Sequence, residues 1–468
     1  MSQRTKHAFL ILFITLGLGT WTGGYRFIEF PKYWWDESFT IEIARTVLET
    51  GRVDITIAPH TPSNIAIALS ANGFPMSLPL ALMFHIFGIG IFQARLYMLL
   101  WLIGGALTLW LLLRKFFDGT DAILAMLPVI TFASFYANGR TATGDIPGFL
   151  FFTLGIGMII AEERYVFGGL LLGLATVTKT SLYHMALPAI FFWWLLRARS
   201  LGIRPILKIA SSAACVGILW FLLLLPRPYA FSQIMPALEF YKNPINKPSL
   251  LMRMPQSLTE IFGSTTIIYL LGICILITWA RVRNGFSKTQ RNFITYVGIY
   301  SILQLIVFLR SPGWHRYLLA VELLLLSVLY PSLVAILGTS RKRLATFATL
   351  LLACIQTGHY ILASSIFPHK NPELQASHIQ TLLEANPGST VGFVDNPMTA
   401  ALISGNQKYQ RVHVGGQTYA GRHPLDLPQD QLPTFFVPPV DDEHAIIINT
   451  LYTPIESDDG FIIYKKKD

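Results

Sequence analysis

Apolar stretches of roughly membrane-span length recur along this chain, and nothing else in the sequence limits its fold so tightly. They lie at 8–24, 92–113, 121–137, 146–161, 165–178, 181–197, 206–225, 263–280, 292–309, 316–338 and 344–363. Most approach the roughly 20 residues that carry a helix across a bilayer. Hydrocarbon offers no water to backbone N–H and C=O groups, so such segments must be helical to satisfy them. Composition agrees: 53% of the residues are hydrophobic and 13% charged, whereas a soluble domain carries about 25% charged residues. A single soluble core and a disordered chain are both excluded. The expected fold is an α-helical polytopic membrane protein with about eleven spans plus interfacial helices.

The formal net charge of +10 is unevenly spread. From residue 364 onward there are 7 Lys/Arg against 12 Asp/Glu, leaving 29 against 14 in the membrane part. A basic excess held in short loops between spans marks the cytoplasmic side of a membrane protein, not a groove for nucleic acid. Cys215, Cys274 and Cys354 all sit in apolar stretches, so neither a disulfide framework nor a CxxC metal motif is present. Residues 8–24 follow Arg4 and Lys6 and lack a small-x-small cleavage site. An uncleaved first span is expected rather than a signal peptide.

The segment 75–88 decides the orientation. It is short and carries Pro75 and Pro79, which suits a helix lying along the interface. With that placement the clusters Arg114/Lys115, Arg197/Arg199/Arg204, Arg281/Arg283/Lys288/Arg291 and Arg341/Lys342/Arg343 all fall on the cytoplasmic side. The outer side then receives 25–91, 138–145, the proline-rich 226–262 and the tail. Two domains are expected: a transmembrane domain at 1–363 with those three loops, and a small extracytoplasmic α/β domain at 364–468. The tail is expected to help select an acceptor, the competing reading being a structural lid.

Five ionisable side chains converge on that outer face. Asp36 and Glu37 stand in Tyr33-Trp34-Trp35-Asp36-Glu37-Ser38, Asp145 in Gly144-Asp145-Ile146-Pro147, Lys179 after Thr178, and Arg316 in His315-Arg316-Tyr317. Each has a plainer reading. The acidic pair suits an interfacial loop, Asp145 a helix N-cap, Lys179 a snorkelling span end and Arg316 an interfacial anchor. Together they suit a water-filled cavity. Carboxylates can take a proton from an acceptor or hold a divalent cation, while Lys and Arg neutralise a phosphate. A lipid-linked phosphate would rest at that depth with its tail in the bilayer.

In this order Trp35-Asp36-Glu37-Ser38-Phe39-Thr40, Phe87-Gly88, Ala94-Arg95-Leu96, Gly144-Asp145-Ile146-Pro147, Gly173-Leu174-Ala175, Thr178-Lys179 and Arg316-Tyr317-Leu318 resemble the GT-C glycosyltransferases. The aminoarabinose (lipid A) transferases and the protein O-mannosyltransferases are the nearest in pattern, over roughly 8–340. The resemblance implies a GT-C bundle and a hexosyl- or pentosyltransferase. Its donor would be a polyprenyl-phosphate-linked sugar, moved with inversion to a lipid, glycan or protein acceptor. It implies Asp36 as the acceptor-activating base, Asp145 as a second acid in the cavity, Glu37 as a supporting or cation-binding group, and Lys179 and Arg316 as donor-phosphate contacts. The cell membrane is the expected location, with membrane lipids as neighbours. A divalent cation is an open cofactor: the Glu-Lys-Pro of the aminoarabinose transferases is replaced here by Gly73-Phe74-Pro75. The alternative readings are a membrane transporter and a non-catalytic envelope-assembly protein.

Overall fold

The computed structural model describes residues 17–63, 73–224, 265–283, 285–310, 315–365, 372–414, 417–438, 445–458 and 461–467, with a few further positions near 13–15 and 254–259. The proline-rich loop expected at 226–262 falls almost wholly outside the described residues, as does the start of the 8–24 segment. The chain divides into two compact units. One takes 1–31, 98–221 and 246–367; the other takes 32–97, 222–245 and 368–468.

In the order of the chain the main helices are α1 (Trp35–Thr50), α2 (Phe74–Phe87), α3 (Ile91–Arg114), α4 (Gly119–Ile130), α5 (Ala133–Arg140), α6 (Asp145–Ile156), α7 (Tyr165–Thr178), α8 (Ala186–Leu195), α9 (Arg204–Leu224), α10 (Thr265–Val282), α11 (Lys288–Arg310), α12 (Leu319–Leu337), α13 (Lys342–Ser365) and α14 (Pro372–Ala385). Among the described residues five helices are long and apolar enough to cross a membrane, or six if α4 and α5 are one span bent by 69°. Four shorter apolar helices accompany them, and the protein is multi-pass. Large apolar side chains such as Leu100, Ile103, Leu107 and Leu111 stay exposed along one face of α3. Water would not tolerate that stripe, but lipid does.

The count of about eleven spans rested on apolar length, which does not register where a helix breaks. The stretch expected at 121–137 bends where Phe132 turns extended, just after Thr131 and a turn beyond Pro128. The stretch at 181–197 is split into Thr180–Tyr183 and α8. Segment 75–88 is indeed a 14-residue helix, α2, with a proline in its first turn and Pro79 inside.

Within the helical unit, α6, α7 and α9 pack through glycine. A Cβ on Gly168 would lie 3.1 Å from the Gly155 carbonyl, and one on Gly169 would lie 2.5 Å from the Ile209 carbonyl. Such close crossings replace the hydrophobic drive that lipid does not supply. At three helix ends an arginine covers the tryptophan one turn before it: Arg114 over Trp110 at 4.9 Å, Arg197 over Trp193 at 4.6 Å and Arg283 over Trp279 at 4.9 Å. All three belong to loops that the charge bias places on one side, and Trp with Arg is an interfacial pairing.

Arg140 is the central structural cation of this unit. It is fully buried and donates to the carbonyls of Tyr25 (2.8 Å), Phe30 (3.0 Å) and Thr22, and to the Tyr360 hydroxyl. A guanidinium has enough donors to satisfy several helix-end carbonyls at once.

The second unit is α/β. Beside a two-stranded ribbon of β1 (Thr56–Ala58) and β2 (Thr61–Pro62), it has β3 (Val391–Val394), β4 (Lys408–Val414), β5 (Gln417–Ala420), β6 (Phe435–Val437), β7 (Tyr452–Asp458) and β8 (Phe461–Lys466), which form a six-stranded sheet of order β5-β4-β3-β6-β8-β7. β3 pairs in parallel with both β4 and β6, and the outer pairs are antiparallel. The tail thus carries a small sheet region, but the compact unit that holds it is not the tail alone. Segment 32–97 packs with it in the same unit. Helix α1 turns a polar face, Glu42, Arg45, Thr46 and Glu49, toward the tail. The Lys408 ammonium donates to Glu42 and to the carbonyls of Ala400 (2.7 Å) and Ile403 (3.2 Å), using all three of its hydrogens. Burial pushes the Lys408 pKa down, against the pull of Glu42. Arg45 donates to the Ala401 carbonyl at 3.0 Å, and Glu49 accepts from the Gly405 amide at 3.0 Å.

Candidate active site

Asp145 opens α6. Gly144 precedes it at φ 77, in the left-handed region, where a side chain would add strain. Gly144, not Asp145, is thus the capping position, and the N-cap reading of Asp145 does not hold. The Asp145 side chain is fully buried, and its Oδ2 accepts from the Thr143 hydroxyl at 2.8 Å. Its backbone carbonyl accepts from the Tyr183 hydroxyl at 2.5 Å.

Tyr183 belongs to the short turn that follows Lys179. At Lys179 the chain leaves α7 with φ −148 and ψ 86, and the Leu182 and Tyr183 amides fold back onto the Lys179 carbonyl at 3.1 and 3.2 Å. The side chain is 2% exposed, so it does not reach out to a surface as a snorkelling lysine would. Arg316 lies in the 3₁₀ turn His315–Leu318 that leads into α12. It is half-buried, with its guanidinium carbon 5.7 Å from the Tyr317 ring centre.

These two turns share one side chain. The Gln304 amide donates to the Ser181 carbonyl at 3.2 Å and to the Tyr317 carbonyl at 3.0 Å. Two tyrosines on the same face of α11 continue the series, Tyr300 to the Leu182 carbonyl at 2.7 Å and Tyr296 to the Ala186 carbonyl at 3.5 Å. Positions 296, 300 and 304 recur every four residues, so they line one stripe of the helix. The stripe supplies the donors that the broken segment 180–186 needs inside a membrane. Asp145, Lys179 and Arg316 thus stand in three turns stitched together by Tyr183 and Gln304. Sequence reading named the charged residues and missed the stitching; the four-residue spacing of polar groups in an apolar span was the available signal.

Asp36 and Glu37 belong to the other unit, where they form the first turn of α1. There they part company. Asp36 is half-buried, while Glu37 is completely buried and meets Arg95 at 3.3 Å, Oε2 to Nη2. Arg95 is buried as well. Tyr33 lies in the same surroundings, and burial, then Glu37 and Glu42, push its pKa well up. It is a neutral phenol.

No group of three or more His, Cys, Asp or Glu gathers within reach of one ion among the described residues. Glu37, the expected cation ligand, already has its carboxylate against a guanidinium. The described residues alone do not make up a divalent-cation site.

A family model described as dolichyl-phosphate-mannose-protein mannosyltransferase matches residues 75–226, a stretch that includes Asp145 and Lys179. The structure resembles that of ArnT from Cupriavidus metallidurans bound to undecaprenyl phosphate, with a TM-score of 0.65 and 15% identity, covering 98% of each chain. The fold is that of the GT-C glycosyltransferases. The apo form of the same ArnT gives a TM-score of 0.64 at 14% identity, covering 99% of this chain and 98% of that one. A more distant GT-C structure is the oligosaccharyltransferase AglB from Archaeoglobus fulgidus, in complex with an inhibitory peptide and a dolichol-phosphate. It gives a TM-score of 0.55 at 11% identity, covering 93% of this chain and 70% of that one. No curated protein matches the sequence significantly.

Proposed function

We propose that this protein is an integral membrane glycosyltransferase that moves a sugar from a polyprenyl-phosphate donor to a lipid, glycan or protein acceptor, with inversion. The observation that carries the reading is the pair of cationic turns. A buried lysine and a half-buried arginine stand where spans end, and one amide holds the two turns together. Cations at a membrane boundary suit an anionic ligand, and a lipid phosphate has the charge and the depth. The undecaprenyl phosphate in the ArnT structure and the dolichol-phosphate in the AglB structure support this choice.

The reaction is one displacement. An acceptor heteroatom attacks the anomeric carbon as the bond from that carbon to the phosphate oxygen breaks, and the electron pair leaves with the polyprenyl phosphate. Lys179 and Arg316 neutralise the charge that collects there. Asp36 takes the acceptor proton: it is the accessible member of the acidic pair, while Glu37 is held by Arg95. Asp145 is the second acid of this reading. The sugar is a hexose or a pentose, and the site faces the extracytoplasmic side, a placement that the Lys/Arg bias supports.

The test is incubation of purified protein with a radiolabelled polyprenyl-phosphate sugar. Release or transfer of the sugar, with free polyprenyl phosphate formed in equal amount, supports the reading. An intact donor carried across a vesicle membrane would instead show a transporter, and an intact donor left in place would leave an assembly role.

A further inference from the structure

We propose that Gln304 is the positioning residue of the donor-phosphate site, fixing Lys179 and Arg316 at one mutual distance. The inference rests on the function proposed above and adds a residue that carries no charge and touches no reacting atom.

Gln304 is fully buried in α11, and its Nε2 makes both of its bonds to turn carbonyls. Its Oε1 is also buried and accepts no hydrogen bond among the described residues. The amide is therefore oriented by its donor side alone. A buried unsatisfied amide oxygen costs about 1–3 kcal/mol, so the side chain is poor value as mere filling. The turns it joins are special because of what stands beside the two accepting carbonyls. Ser181 is two residues after Lys179, and Tyr317 directly follows Arg316. The neighbouring backbone is already fixed by the bonds to the Lys179 carbonyl and by Tyr300. The two turns also lie against each other, and Gln304, bonded to both, helps to set their separation. A phosphate gripped by two cations is sensitive to that separation, since misplacement of a charged contact by about 1 Å is costly in a preorganised site.

The experiment compares binding of a polyprenyl phosphate with that of the polyprenol of equal chain length, using the full-length purified protein. The ratio of the two affinities isolates what the phosphate contributes. In Gln304→Leu the polyprenol should bind as in wild type, and the ratio should fall about tenfold, the worth of roughly one well-placed hydrogen bond. Gln304→Glu keeps the size but sets an oxygen against two carbonyls, and should lose at least as much. Tyr296→Phe removes the longest bond of the same stripe, away from the cations, and should keep the ratio. In a Lys179→Ala/Arg316→Ala background, Gln304→Leu should change the ratio less than about twofold, because there is nothing left to position. A filling role predicts lower thermal stability with an unchanged ratio in whichever Gln304 variant folds, and that result overturns the proposal. Equal binding of phosphate and alcohol by the wild-type protein would overturn the donor reading itself, and the two failures are told apart in the same assay.

Discussion

At the scale of single residues, neighbouring carboxylates on one helical turn have different fates. Asp36 keeps an exposed side, whereas Glu37 is sealed against Arg95. Asp36→Asn should therefore fold and bind donor normally while turnover falls on the order of 10²-fold; full activity in that variant would remove Asp36 from the mechanism. Glu37→Gln should act mainly on stability. It leaves Arg95 buried without its charge partner, at a cost of about 3–5 kcal/mol, to be read as a lower midpoint of thermal unfolding. If Glu37→Gln instead stays stable and loses turnover, the roles are reversed. The Asp-Glu dipeptide was legible in the sequence, but which member is sealed in was not. That choice is made by Arg95, 58 positions away, and no spacing rule reaches that far.

At the scale of elements, glycine decides how closely α7 can approach its neighbours. Gly169→Ala would drive a Cβ into the backbone of α9 and should cost about 1–3 kcal/mol as the helices part. Gly217 sits in α9 with open space around its Cβ position. Gly217→Ala should be neutral or slightly stabilising. Thermal unfolding of the two variants side by side checks the pair, and equal effects would mean the α7–α9 contact is looser than described. Helix positions followed directly from apolar run length, because a bilayer allows few other solutions. The breaks near Thr131 and His184 did not, because an apolar run reads the same whether or not the helix within it is continuous. The polar face of α1 was not singled out by the sequence reading: Glu42, Arg45 and Thr46 are buried, and their partners lie far along the chain.

At the scale of the whole molecule, the charge bias predicts that positions 88 and 400 lie on the same, extracytoplasmic side. Single cysteines placed there, with the native three removed, should react with an impermeant reagent on intact cells. Reaction of either only after permeabilisation would invert the orientation. The bond between α1 and the tail makes a separate claim. Lys408→Met strands the buried Glu42 carboxylate and should destabilise the α/β unit by about 3–5 kcal/mol, whereas Glu42→Leu with Lys408→Met should recover most of that loss. Limited proteolysis of the tail would report both; equal susceptibility of the single and double variants would show that the pair is not coupled.

The distance between those partners also sets a timetable. Glu42 and Lys408 are 366 residues apart in the chain, and a ribosome adding 5–20 residues each second needs roughly 20–70 s to bring the second after the first. Throughout that interval α1 exists without the lysine that neutralises its glutamate and without the strand that covers β1 (Thr56–Ala58). The first-made part of the α/β unit is thus completed by the part made near the end. A ribosome stalled before residue 408 would hold a chain whose helices are nearly all in place, yet whose opening loop is still waiting for its other half.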